Sequence, residues 1–215
     1  MTHGPTSSII RPRLRGVADI GAAAIAIPAV AALVDHARPG GASVASAMYG
    51  ASLVMVLLCS AIYHRAGWPL RVALWLRKID HASIYLLIAG SATPVAYTLV
   101  PGPGTGLIAA MWTAAALGVL KTLLWPRAPR QLSVALYVLI GVLPVPFVAD
   151  LRETIGDAEM DLLIVGGAIY IAGAVVYARR WPNPAPFTFG YHEIFHLFVF
   201  AAALVHYVAI WSIVG

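Results

Sequence analysis

Charge and cysteine are both scarce in this sequence of 215 residues. Only 11% of the residues are Asp, Glu, Lys or Arg, whereas soluble domains carry about 25%. Because 60% of the residues are hydrophobic, too little polar surface is left to cover a soluble globule, which excludes a soluble enzyme and a disordered regulator. The single cysteine, Cys59, excludes an internal disulfide framework and a cysteine-rich zinc or iron–sulfur site.

Long apolar runs fill most of the chain. A helix that crosses a bilayer needs about 20 mostly apolar residues, and seven stretches meet this need: 17–34, 42–63, 79–100, 106–125, 132–149, 160–178 and 190–214. We therefore predict an all-α, polytopic membrane protein with seven transmembrane helices. Residues 1–16 are expected to form a short cytoplasmic tail, and residues 17–215 a single seven-helix membrane domain. The first stretch exceeds the ~7–15 residues of a signal-peptide core, so we expect an uncleaved helix.

Proline falls inside three of the seven stretches, at Pro28, Pro94, Pro144 and Pro146. Proline lacks an N–H group and clashes with the preceding turn, so we expect kinks or local unwinding there. No internal repeat is visible in the sequence, which disfavours an inverted-repeat transporter.

The basic residues separate strongly by side of the membrane. If the N-terminus is cytoplasmic, twelve of the fourteen Lys and Arg residues fall inside, and only Arg38 and Arg152 fall outside. This asymmetry follows the positive-inside rule, so we predict a cytoplasmic N-terminus and an external C-terminus. The pI near 9.6 is then a consequence of topology. We expect membrane lipids and a lipid substrate or ligand as partners, and no nucleic acid.

A few ionisable side chains remain at membrane depth, where they are costly and therefore candidates for function. His64 ends the second predicted helix, Asp80 begins the third, and His192 and His196 lie in the first turns of the seventh. With the orientation above, all four reach the same cytoplasmic depth. The sequence does not establish whether these helices are lateral neighbours.

The spacing of His192 and His196 favours a metal site. Residues four apart lie on one face of a helix, so both imidazoles can bind one ion. Zinc takes about four ligands, with one position left for water in catalytic sites, and His64 is the natural third ligand. Ser60 lies one turn before His64 and could orient a ligand or donate a hydrogen bond to a substrate oxyanion. The alternative for any one histidine is a hydrogen-bonded residue at the membrane interface.

Asp80 is the candidate acid–base residue. Zinc with three neutral imidazoles leaves positive charge near hydrocarbon, and a nearby carboxylate would cancel it and accept a proton from water. Asp80 could also simply cap a helix N-terminus. We expect His81 to point elsewhere as an interfacial residue. Asp19 could support a ligand or cap its helix, and His206 could line a cavity or hydrogen-bond another helix.

Residues 192–196 also spell H-E-x-x-H, the motif in which soluble metalloproteases carry two zinc ligands and a glutamate base. The metzincin extension with a third histidine is missing, because Leu197-Phe198-Val199-Phe200 follows. A protease is therefore poorly supported, and Glu193 is at best a secondary candidate.

The combination of Ser60-x3-His64, Asp80 and His192-x3-His196 over seven spans resembles the CREST superfamily. That group joins hemolysin III proteins, progestin and adiponectin receptors, and alkaline ceramidases. The resemblance to bacterial hemolysin III proteins is narrower, and it rests on RPRLRG at 11–16, LRKIDH at 76–81, LIAG at 87–90 and FGYHEIFH at 189–196. One departure is that such sequences often carry a histidine shortly after the R-G of the first helix, where this one has Val17-Ala18-Asp19.

The resemblance implies a seven-helix fold with Zn²⁺ near the cytoplasmic face. It implies His64, His192 and His196 as ligands, with Asp80 and Ser60 as catalytic residues around the reacting water. Two functions remain open: a ceramidase-like hydrolase of a lipid amide or ester, and a non-enzymatic, zinc-stapled sensor or regulator of membrane lipid homeostasis. A cytolysin would be expected to have an exportable soluble form or an amphipathic strand pattern, and neither is present in the sequence.

Overall fold

The computed structural model describes residues 16–65, 67–185 and 187–215. Regular structure in these ranges is helical, apart from one isolated bridge between Ala185 and Phe189. The helices are α1 (Val17–His36), α2 (Gly41–Arg65), α3 (Leu70–Tyr97), α4 (Pro103–Leu124), α5 (Arg130–Gly141), α6 (Val148–Ile155), α7 (Asp157–Arg179) and α8 (Tyr191–Val214). The all-α prediction is confirmed. Of the predicted cytoplasmic tail, only Gly16 lies within the described residues.

Six segments are long and apolar enough to cross a membrane. They are α1, α2 over Gly41–His64, α4, the run Arg130–Ile155 that contains α5 and α6, α7 and α8. Their outer surfaces carry large apolar side chains, and Ile25, Leu117 and Leu204 are each more than 60% exposed. Such an exterior suits lipid rather than water.

The third helix differs from the prediction, because α3 begins at Leu70 instead of residue 79. No proline or glycine interrupts residues 70–79, and Pro69 occupies the position before the first turn. The sequence criterion missed this extension because three basic residues precede Asp80 there. Asp80 is therefore an interior residue of α3, and the interpretation of Asp80 as a helix cap is wrong. α3 is not among the six apolar segments.

The fifth predicted span is interrupted where its prolines fall. α5 ends at Gly141, a 3-10 turn covers Val145–Phe147, and α6 begins at Val148. Pro144 and Pro146 lie in this interruption, since proline cannot donate the hydrogen bond that a continuing helix needs. The predicted unwinding is confirmed there, whereas Pro28 and Pro94 lie inside uninterrupted helices.

α3 is the central helix of the bundle and contacts α2, α4, α5 and α8. One apolar cluster surrounds Leu87 and reaches α1, α2 and α8, and a second surrounds Tyr85 and reaches α4 and α5. The buried side of α3 also carries Asp80, Ser83 and Thr93. The Ser83 and Thr93 hydroxyls donate to carbonyls one turn earlier in the helix, at 2.7 and 2.8 Å. Its polar side chains therefore face protein, which explains its low apolar content.

α1 and α8 run side by side in the same direction. Near their ends, the rings of His36 and Trp211 stack with centroids 4.0 Å apart. The backbone N–H and guanidinium of Arg38 donate to the carbonyls of Val214 and Ile213, both at 2.9 Å. This parallel arrangement brings the first turns of α1 and α8 together at the opposite end of the bundle.

Candidate metal centre

Three histidine side chains converge where the end of α2 meets the start of α8. Nε2 of His192 lies 3.0 Å from Nε2 of His64 and 2.9 Å from Nε2 of His196. One ligand atom from each residue lies within 4.8 Å of the others. The spacing of His192 and His196 keeps them on one helix face. The structure thus brings together the three residues predicted as a ligand set.

The donor atoms of this cluster fit a divalent metal ion. Zinc bonds of about 2.0–2.1 Å in a tetrahedral site put neighbouring nitrogens about 3.3 Å apart, close to the separations observed. A neutral imidazole nitrogen carries either a proton or a lone pair. One proton on Nε2 of His192 therefore cannot form good hydrogen bonds to both neighbouring nitrogens. A cation between the three rings would use all three lone pairs.

Asp19 fixes the orientation of one of these rings. Its Oδ1 accepts a hydrogen bond from Nδ1 of His196 at 2.8 Å, and the residue is only 2% exposed. A proton at Nδ1 leaves the lone pair on Nε2, which faces the other histidines. Carboxylates of this kind commonly support metal-binding histidines. Of the two roles considered for Asp19, the structure favours support of a histidine.

Asp80 lies beside the cluster rather than within it. Its Oδ2 is 4.0 Å from Nε2 of His64 and 3.5 Å from Nδ1 of His81. His81 is in turn held by two contacts, from Nδ1 to the carbonyl of Arg77 at 2.8 Å and from Nε2 to the hydroxyl of Tyr177 at 3.3 Å. His81 therefore contacts α7 and lines the same cavity, but it is not one of the three clustered histidines.

Ser60 is buried one turn before His64 on α2. Within the part of the chain that the structure describes, its hydroxyl forms no hydrogen bond of good geometry, although it lies near the carboxylate of Asp19. Leaving a buried hydroxyl unpaired costs about 1–3 kcal/mol. Such an atom is expected where a water or ligand completes a site.

A cavity of about 480 Å³ joins these residues, which is within the usual size range of small-molecule sites. Asp19, Ser60, Asp80, His192 and His196 are among its polar lining residues. Its apolar wall consists of Val56, Leu57, Ile84, Val199 and Phe200. The cavity can therefore bind a molecule with a polar group at the histidines and a hydrocarbon chain along the apolar wall.

Two other candidate residues have structural partners. Oε2 of Glu193 accepts a hydrogen bond from the backbone N–H of Gly190 at 2.8 Å, so this carboxylate caps the start of α8. His206 contacts the carbonyl of Leu163 through Nε2 at 3.2 Å. His206 therefore bonds a neighbouring helix, one of its two predicted roles, and is separate from the histidine cluster.

The sequence analysis missed Tyr177 and Arg130 as cavity residues. The guanidinium of Arg130 lies 4.7 Å from the ring centroid of Tyr177, and that ring is 6.1 Å from the ring of His192. In the sequence, Arg130 contributes only to the asymmetry of basic residues between the two sides of the membrane. Its position after Pro129, at the start of a helix, gave no indication of the direction of its side chain.

Apolar helices with apolar exteriors around a half-buried three-histidine cluster define an all-α, multi-pass membrane protein with a candidate metal site. The family model described as Haemolysin-III related matches residues 7–207. The chain belongs to the hemolysin III family, as the motif resemblance predicted.

Curated relatives agree with this assignment. The chain is 34% identical over 181 residues to Hemolysin-3 of Bacillus cereus, which covers 82% of this chain and 80% of that protein. It is 30% identical over 181 residues to a Hemolysin-3 homolog of Bacillus subtilis, with 81% of each covered. It is also 30% identical over 173 residues to the human monocyte to macrophage differentiation factor, covering 77% of this chain and 68% of that protein.

Proposed function

We propose that this protein is a zinc-dependent hydrolase of a lipid amide or ester in the bacterial inner membrane. The observation that carries the proposal is the convergence of three histidine Nε2 atoms beside an apolar-walled cavity. A metal site next to a wall of this kind suits a substrate with one polar, reactive group and a hydrocarbon chain.

In this proposal α3 is the seventh transmembrane helix, and the N-terminus is cytoplasmic. The central position of α3 and its protein-facing polar residues support a transmembrane role despite its composition. The distribution of basic residues, twelve of fourteen on one side, supports the orientation. The histidine cluster and Asp80 then lie towards the cytoplasmic face.

His64, His192 and His196 would hold the zinc ion, which supplies carbonyl polarisation and a more acidic water. Asp19 holds the His196 ring through Nδ1. Oδ2 of Asp80 lies beside His64, where it can accept a proton from a water molecule in the cavity. The unpaired hydroxyl of Ser60 can donate to the carbonyl oxygen of the substrate.

Metal analysis of the protein purified in detergent tests the site. We expect about one zinc per chain in the wild type, with loss of zinc in His64→Ala, His192→Ala and His196→Ala. His206→Ala is the matched control and should keep its zinc, because His206 bonds α7 instead. Full zinc content in all three cluster variants would overturn the site.

Turnover tests the hydrolase. Wild-type protein is incubated with ceramides, acyl amides and phospholipids, and released fatty acid is measured. Asp80→Asn should keep zinc and fold but lose hydrolysis. Asp150→Asn, which changes an exposed acid elsewhere in the chain, should retain full activity. Equal activity in Asp80→Asn and wild type would rule out Asp80 as the proton acceptor.

A second candidate function is a zinc-stapled sensor or regulator of membrane lipids. It is favoured by one observation: the cluster and Asp19 together join α1, α2 and α8. An ion there would fix three helices relative to one another without any turnover. A wild-type protein that holds zinc but hydrolyses no lipid in the panel would support this candidate over the hydrolase.

A further inference from the structure

The cavity beside the histidines has a strongly basic lining. Six cationic residues line it: Arg77, Lys78, Lys121, Arg127, Arg130 and Arg180. Its two acidic residues are Asp19 and Asp80, and both face histidines, at 2.8 Å from His196 and 4.0 Å from His64. The cavity therefore has an excess of positive charge next to apolar walls, where unpaired charge is costly.

The positive-inside rule does not explain the direction of these side chains. Four of the six are only partly exposed: Arg77, Lys78, Lys121 and Arg130. By contrast, Arg71 at the start of α3 and Arg179 at the end of α7 are exposed and do not line the cavity. A charge that serves topology alone can extend its long side chain into water. Side chains that turn into a cavity indicate a binding role.

Three of these cations donate hydrogen bonds to neutral oxygens. Lys78 donates to a backbone carbonyl of α4 at 3.2 Å, Lys121 to the hydroxyl of Ser133 at 2.5 Å, and Arg130 to the carbonyl of Tyr177 at 3.2 Å. Within residues 16–65, 67–185 and 187–215, none of the six pairs with a carboxylate within 4.0 Å. Each contact uses one of the three donors of a lysine or the five of an arginine. Donors therefore remain for an anion.

The cationic residues line the same cavity as His192 and His196. Arg77 precedes Asp80 by three residues on α3, a rise of about 4.5 Å. Tyr177 lies between Arg130 and His192, in contact with both. One elongated molecule could therefore touch the cations, the histidines and the apolar wall together.

We infer that the cavity binds a lipid with a phosphate headgroup. The phosphate lies among the cavity cations, the hydrocarbon chain lies along the wall of Val56, Leu57 and Phe200, and the amide or ester bond lies near the histidines. Several cations around one group match the charge of a phosphate, and arginine binds its oxygens in a bidentate manner. The inference rests on the proposed function and names its substrate class. Free phosphate shares the headgroup chemistry, so the test must separate the two.

Ligand binding to the full chain in dodecyl maltoside provides the test. The probes are 1-oleoyl-lysophosphatidic acid, monooleoylglycerol with the same chain and no phosphate, and inorganic phosphate. Trp125 lines the cavity, so tryptophan fluorescence reports binding. We expect lysophosphatidic acid to bind about tenfold or more tighter than either other probe. Equal affinity for monooleoylglycerol would overturn the phosphate assignment, and equal affinity for inorganic phosphate would overturn the lipid assignment.

Charge-matched variants test whether the cavity itself carries the binding. Lys121→Gln and Arg77→Gln should each weaken binding of lysophosphatidic acid about tenfold, because each removes a charge-assisted contact. Arg71→Gln and Arg179→Gln remove the same charge outside the cavity and should change affinity less than about twofold. Lys121→Arg keeps the charge, so retained binding there shows that loss in Lys121→Gln is not misfolding. Equal weakening of binding in Arg71→Gln and Lys121→Gln would show that the affinity depends on overall charge and not on the cavity, and the inference would be wrong.

The same titration in metal-stripped wild type and in His192→Ala separates this inference from the hydrolase proposal. Phosphate-dependent binding should persist in both, since the cations do not need the metal. A wild-type protein that contains no zinc when purified, and that still prefers lysophosphatidic acid, would contradict only the hydrolase. A zinc-loaded protein that binds lysophosphatidic acid and monooleoylglycerol equally would contradict only the present inference.

Discussion

Oδ1 of Asp19 and Nδ1 of His196 lie 2.8 Å apart, although 177 positions separate the two residues in the chain. This hydrogen bond connects the first turn of α1 to the second turn of α8. Because it fixes which nitrogen of His196 carries the proton, it also determines the direction of the lone pair that faces His192 and His64.

Replacing Asp19 by alanine should weaken metal binding by about 10–100-fold, since the His196 ring loses the partner that orients it. Competition with a chelator of known affinity measures the change. Asp35→Ala is the matched control, because Asp35 is an exposed acid on the same helix. Unchanged metal affinity in Asp19→Ala would contradict a supporting role for this carboxylate.

Removing the metal should lower the thermal stability of the wild-type protein. An ion that binds only the folded state at a hundred times its dissociation constant stabilises that state by about 2.7 kcal/mol. Circular dichroism at the helical band, with and without chelator, measures the shift in Tm. His192→Ala should show no chelator-dependent shift, and an equal shift in that variant would mean that the ion binds elsewhere.

Two adjacent glycines of α7 should respond in opposite ways to alanine. A Cβ at Gly166 would overlap Cδ2 of His206, whereas a Cβ at Gly167 meets no atom within 4 Å. Gly166→Ala should therefore destabilise the fold by about 1–3 kcal/mol through overpacking. Gly167→Ala should stabilise it by about 0.5–1 kcal/mol through its higher helix propensity. Denaturant unfolding measures both, and changes of the same sign would contradict the close approach of α7 and α8.

Arg180 has a left-handed backbone conformation, with φ 55° and ψ 36°, immediately after α7. Glycine adopts this conformation without steric penalty, so Arg180→Gly should stabilise the fold by about 1 kcal/mol. Arg179→Gly, at the last position of the helix, should instead destabilise it by up to about 1 kcal/mol.

The same pair of variants separates stability from binding. Arg180 lines the cavity and Arg179 does not, so Arg180→Gly should also bind lysophosphatidic acid more weakly. If Arg180→Gly is more stable than wild type but binds lysophosphatidic acid more weakly, Arg180 contributes to ligand binding at a cost in stability. Higher affinity in Arg180→Gly would contradict this.

The sequence predicted the members of the histidine cluster but not that α2 and α8 would be neighbours. The i, i+4 spacing of His192 and His196 determined a shared face, and the depth argument added His64. The beginning of α3 was harder, because an apolar-length criterion cannot detect a helical extension whose residues are basic. Asp80 therefore looked like a cap, although it is the eleventh residue of a continuous helix.

The sequence did not show that Asp19 on α1 would lie next to His196 on α8. α1 is apolar around its whole circumference, so no stripe in its sequence indicates which helix it packs against. The same limit applies to Lys121 and Arg130. A count of charges gives the side of the membrane on which they lie, but the direction of a side chain depends on packing that no local pattern encodes.

The wide separation of the ligand residues has a consequence for biosynthesis. While the ribosome is still translating α7, His64 and Asp19 have been made, but the other two imidazoles do not yet exist. A chain that stops before α8 lacks two of the three convergent nitrogens. Metal capture by the full set is therefore possible only after His196 has been translated, and an occupied site would mark a chain that extends into α8.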